Sequence, residues 1–221
     1  MSIKLTGDQY IDLDGKLAEI KRQMRQQSGY PYDPGKLNTF LQRAIEGKWE
    51  KIPWIEKDNI IYFTLVSNGR SGINWVKYFE SDGRIKFENG SEKLLWSEDF
   101  RPNKGGSLYN IAVIKGNLFS DDKRTLPMII ERADELMFGE PNIEVSCLIS
   151  NAFTGGEIED IMGLRGIVVM HEPLKHSVIN EARLEISAFA RSSSLSAVRT
   201  DSGYVWPRGT GFAFVYTQVI A

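Results

Sequence analysis

The chain has 221 residues, with 27 Lys and Arg against 29 Asp and Glu and a formal net charge of −2. That length allows one domain or two small ones, and a globule of this size holds a core without covalent staples. The single cysteine, Cys147, excludes an internal disulfide and a multi-cysteine metal centre, and no apolar run reaches the length of a membrane-spanning helix.

In chain order, residues 6–27 carry a helical pattern. Thr6 and Gln9 have capping-box spacing, and Tyr10, Leu13, Leu17, Ile20 and Met24 form one narrow apolar stripe. Gly29 to Gly35, with two prolines, breaks that helix. Asp33 caps a second one, in which Leu37, Phe40, Leu41, Ala44 and Ile45 share a face and Gly47 is the stop. Residues 1–52 are therefore expected to form a helical hairpin module that must rest its apolar stripes on another surface. Lys48–Asp58 is polar and reads as the linker to an α+β domain at 53–221.

Within that domain, Ile60–Val66 reads as a buried strand and Ser71 as the cap of a helix reaching Phe79. Arg84–Glu88 and Tyr109–Ile114 are strand-like, and Leu126, Ile129, Ile130, Ala133 and Met137 mark a helical face. Residues 143–153 read as helix, and Thr154 with Glu157 repeats the capping-box spacing before another. Gly166–Met170, Leu184–Ala190, Leu195–Arg199 and Gly211–Val219 are strand candidates; Phe212, Phe214 and Tyr216 alternate with Ala213, Val215 and Thr217. Helices and strands do not alternate regularly, so the expected fold is α+β: the hairpin, then a mainly antiparallel sheet with a few helices.

Candidate chemistry is sparse. His171 and His176 stand five apart around Pro173, a spacing that fits neither one helix face nor one strand face, so no metal site is expected. His171 or Glu172 at a strand end is placed to act as a general acid or base, and Cys147 is the one thiol nucleophile on offer. Tyr30 and Tyr32 flank Pro31, and Trp206 precedes Pro207; aromatics at such loop positions suit binding. Lys16, Lys21, Arg22 and Arg25 make a basic helix face diluted by Asp12, Asp14 and Glu19. No phosphate loop, dinucleotide fingerprint or serine elbow is present, and no cofactor is expected. The segment Met1–Asp8 lacks a secretory pattern, which sets the expectation of a cytoplasmic protein with no membrane partner.

The run Ile11–Gln23, then Gly29–Pro34, Leu41-Gln42 and Ile45-Glu46-Gly47, resembles an N-terminal module of uncharacterised bacterial proteins. Lys115–Phe119, Glu144–Ile149, Phe153-Thr154, Glu157-Ile158-Glu159, Met162-Gly163-Leu164, Ile167–Pro173 and Gly211–Phe214 resemble a second stretch of such proteins. The resemblance implies a bacterial setting and a two-part construction; it carries over no activity, cofactor or site residue.

The leading functional expectation is a non-enzymatic binding or regulatory protein acting through protein–protein contacts, with a protein partner or a second copy of itself. The alternative is a hydrolase with His171, Glu172 and Cys147 at its site. Nucleic-acid binding through the basic helix face is the third reading and is not favoured by the charge balance.

Overall fold

The computed structural model describes residues 18–19, 21–22, 54–176, 180–189, 192–199, 201 and 203–217. The chain divides into two compact units, Met1–Lys48 and Trp49–Ala221. In the first, Ala18, Glu19, Lys21 and Arg22 are helical and exposed, and Arg22 donates to both carboxylate oxygens of Glu19 at 2.7 Å. The remainder of the expected hairpin, with Tyr30 and Tyr32, lies outside the described residues.

The second unit is built on one nine-stranded sheet. Its strands are β1 (Trp54–Lys57), β2 (Ile60–Val66), β3 (Ile85–Glu88), β4 (Leu108–Lys115), β5 (Gly166–Val169), β6 (Leu174–His176), β7 (Asn180–Phe189), β8 (Ser192–Arg199) and β9 (Thr210–Val215). They lie in the order β1-β2-β4-β9-β5-β7-β8-β3, and β6 also pairs with β7. Helices α1 (Gly72–Asp82), α2 (Ser91–Leu95), α3 (Leu126–Glu135) and α4 (Glu144–Ala152) complete the unit, with a π-helical turn at Glu157–Ile161.

This corrects the expected fold class. A helical hairpin ahead of a mainly antiparallel sheet is not what the structure supports; the described fold is a mixed sheet with few helices. Two pairings are parallel, β5 with β9 and β3 with β8. Both join segments far apart in the chain, and parallel neighbours need long crossovers that leave no local mark on the sequence. The expected linker is also partly a strand: Trp54–Lys57 pairs with β2 through a two-residue turn, Asp58-Asn59, in which both residues have positive φ. That is the turn geometry that matches strand twist in a tight hairpin.

Alternation along the strands divides the core between the two sheet faces. Ile167, Val169 and Ala213 join one cluster with Phe63, Trp75, Phe79 and Ile149, beneath α1 and α4. Val168, Phe212 and Phe214 join the other with Ile129, Ala133 and Trp206, beneath α3. Helix α1 begins where Ser71 Oγ accepts from the Asn74 amide and ends at Gly83, whose φ of 68° is the left-handed stop. Its start sits tightly on α2, since a Cβ on Gly72 would lie 1.7 Å from the Leu95 carbonyl oxygen.

Candidate functional site

Beyond the α3 layer the second sheet face turns polar. Arg183, Glu185 and Ser187 of β7 stand opposite Val198, Ser196 and Ser194 of β8, while their neighbours Leu184, Ile186 and Leu195 point into the first cluster. A groove of about 820 Å³ opens here. Glu185, Ala197, Val198 and Arg199 line it from the sheet, Asn89, Gly90 and Lys93 from the β3–α2 corner, and Asp201, Tyr204, Trp206 and Pro207 from the loop before β9.

Both walls are held in place by named contacts. Asn89 and Gly90 take positive φ, which reverses the chain between β3 and α2. The Asn89 side-chain amide donates to Ser196 Oγ at 2.8 Å, and Ser91 Oγ donates to the Leu195 carbonyl at 2.6 Å. The opposite loop is clamped by Arg124. The Trp206 amide donates to the Arg124 carbonyl, and Arg124 Nε donates to the Trp206 carbonyl at 2.7 Å. Arg124 also pairs with Asp121 at 2.8 Å. The Trp206 ring is buried edge-on to Phe212, 5.9 Å between centroids, and Tyr204 packs edge-on to Trp206 at 4.9 Å. Tyr204 and Val205 are left 47% and 44% exposed. The loop thus shows apolar surface to solvent beside a residue, Trp206, whose backbone is clamped on both sides.

Charges in the groove are of both signs. Arg199 pairs with Asp201. Burial, reinforced by the nearby carboxylate of Glu88, pushes the Glu185 carboxyl above its ordinary range. Lys93 makes no ion pair among the described residues.

The predicted catalytic residues lie elsewhere and are not assembled. His171 sits where β5 ends and β6 has not begun. Val168 faces Glu185 and Leu174 faces Ala182, so five residues on one side of the ladder oppose two on the other. The bulge leaves the Leu184 amide without a ladder partner, and it donates to His171 Nε2 at 3.0 Å. His171 Nδ1 in turn donates to the Glu172 carbonyl at 2.6 Å, and Arg183 Nε donates to the His171 carbonyl at 2.8 Å. Both ring nitrogens are therefore engaged with backbone, and the ring is 2% exposed. Burial lowers its pKa to about 4; the Glu172 carbonyl opposes that shift and Arg183 adds to it. Glu172 is exposed. Cys147 is wholly buried in α4, and burial, with the Glu144 charge, raises its thiol far above the range of a reactive cysteine. No hydrogen bond joins Cys147 to His171 among the described residues, and neither lines the groove. The expected nucleophile–base pair is not formed.

One feature escaped sequence reasoning altogether. Glu144, fully buried at the start of α4, accepts from Ser67 Oγ at 2.8 and 3.0 Å, from the Asn103 amide at 3.1 Å and from Tyr109 Oη at 3.0 Å. It ties the loop after β2 to the Gly-rich loop before β4, whose backbones meet at Gly69 and Gly105. Nearby, the Arg70 guanidinium lies over the rings of Trp75 and Tyr78 at 4.6 and 4.2 Å. A buried carboxylate surrounded by donors is a structural knot; the glutamate in Asn142-Ile143-Glu144-Val145 looks from the sequence like an ordinary first-turn acidic residue.

Among the described residues no three His, Cys, Asp or Glu side chains are grouped to hold a metal ion, and no helix is long and apolar enough to cross a membrane. Comparison of the chain with protein-family models, with curated proteins and with solved structures gives no match in any of the three.

Proposed function

We propose that this is a non-enzymatic binding protein that holds an extended segment of a protein partner in the β7–β8 groove. The carrying observation is the Tyr204–Trp206 loop: apolar side chains of Tyr204 and Val205 exposed beside a groove of ligand-binding size, next to a backbone that Arg124 holds at Trp206. A rigid aromatic offers contact area at small entropic cost, which is the usual anchor of a recognition surface. Tyr204 would pack on an apolar or proline side chain of the partner, and Lys93 would meet an acidic one.

Panning a random peptide library against the immobilised full chain tests this. The expected result is enrichment of short apolar–acidic sequences whose binding is lost in Tyr204→Ala and weakened in Lys93→Glu, with the unfolding midpoint of each variant unchanged. Failure to enrich any sequence, or enrichment indifferent to both substitutions, would refute the reading.

A further inference from the structure

A second, smaller cavity lies on the far side of Pro207. It measures about 420 Å³ and is lined by Lys115, Asn117, Gly163, Leu164, Arg165, Pro207, Arg208 and Gly209. Three of these are cations and none is a carboxylate, although the chain as a whole carries 27 basic and 29 acidic side chains.

The sheet topology makes this convergence. Strand β9 lies between β4 and β5, antiparallel to the first and parallel to the second. The end of β4 and the starts of β5 and β9 therefore meet at one end of the central strands, bringing Lys115, Arg165 and Arg208 to one cavity from three separate stretches. Their backbones are locked. The Arg165 amide donates to the Gly209 carbonyl at 2.8 Å, and the Thr210 amide donates to the Pro207 carbonyl at 3.1 Å. Gly116 fits so closely that a Cβ there would lie 2.8 Å from the Thr210 carbonyl oxygen and 2.9 Å from that of Arg208. The stem of Arg165 runs over Gly209, with Cγ 3.2 Å from where a Cβ would stand.

The cations are unequally satisfied. Lys115 pairs with Glu56 at 2.8 Å. Asn117 is held by Asn59, its side-chain amide donating at 3.3 Å. Arg165 and Arg208 are exposed and make no side-chain hydrogen bond or ion pair among the described residues. The nearest carboxylate along β7, Glu185, reaches toward Gly166 but lines the neighbouring groove and forms no ion pair with Arg165. Two guanidinium groups with no partner among the described residues line one cavity, and guanidinium forks favour bidentate pairing with oxyanions such as phosphate.

We propose that this cavity is a binding site for the phosphoryl group of a small phosphorylated molecule, gripped by Arg165 and Arg208. The site is separate from the groove and does not depend on what the groove binds.

Pyrophosphate is the probe, titrated calorimetrically into the full chain at low ionic strength, with sulfate in parallel. Arg165→Ala and Arg208→Ala should each weaken pyrophosphate binding by about tenfold or more, the loss of one charge-assisted contact. Arg132→Ala removes the same charge from α3, where Arg132 pairs with Glu135, and should change it by less than about twofold, as expected of a screened surface charge. Both pocket arginines are exposed, so the variants should unfold at the midpoint of the parent. The proposal falls if pyrophosphate does not bind, if Arg132→Ala weakens it as much as the pocket variants, or if sulfate binds equally well. Failure of the parent chain to enrich any peptide, with pyrophosphate binding intact, would refute the proposed function alone.

Discussion

His171 makes the stability of this protein sensitive to mild acid. In the folded chain its pKa is about 4, against 6.5 for an ordinary histidine. Below pH 6.5 the unfolded chain takes up a proton that the folded chain refuses, because a charged ring would be stranded in the core and its Nε2 could no longer accept from Leu184. Stability from this residue is therefore complete above the unfolded pKa and is lost as pH falls through the folded one. The full shift corresponds to about 3 kcal/mol, and roughly 2 kcal/mol of it should be gone on acidification from about pH 7.5 to about pH 5. Glu185 acts with the opposite sign: its raised pKa makes the folded state bind protons more readily, so the comparison must be between parent and variant. Urea unfolding of the full chain, followed by tryptophan fluorescence, should show His171→Gln less stable than the parent near neutrality. The difference should narrow by roughly 2 kcal/mol at about pH 5, where only the parent carries the linkage. If the variant does not fold, an NMR titration of the parent decides: the His171 ring should stay neutral through pH 6.5 and protonate near 4. Equal acid sensitivity in parent and variant, or an ordinary imidazole titration in the folded chain, would show that the bulge does not use His171 as an acceptor.

Two glycines separate backbone crowding from backbone conformation. Gly72→Ala drives a methyl into the Leu95 carbonyl and should cost several kcal/mol or prevent folding, whereas Gly83→Ala meets nothing within 4 Å and should cost only about 1–2 kcal/mol for its left-handed φ. Reversed or equal unfolding midpoints would contradict that reading. Cys147 should resist a thiol reagent in the native state and react only at the rate of unfolding, so labelling should track added urea; rapid native-state labelling would place the thiol at a surface.

The elements most readable in the sequence are those whose own periodicity defines them. Phe212 and Phe214 alternate with Ala213, and they do divide between the two sheet faces. Ser71 does cap α1, and residues 144–152 are helical as their apolar spacing suggests. Strand β1 was hidden because its four residues are mostly exposed and only their pairing with β2 makes them a strand. The candidate sites were less readable still. Trp206 could be singled out from its loop, but Glu185 stands far along the chain from Asn89 and Lys93 and meets them only where β3 joins β8. His171 is a partner of the backbone, and a bulge that leaves one amide without a ladder partner cannot be read from residue order.

What the amino-acid order determined by itself was local: which segments extend, which coil, and which lack the residues for a disulfide. These follow from steric preference and from apolar spacing over a few neighbours. Strand order, the two parallel pairings, the groove and the arginine-lined cavity were decided only by tertiary structure. Each depends on segments separated by tens of residues coming to adjoin, and no short-range periodicity records which strand will become another's neighbour.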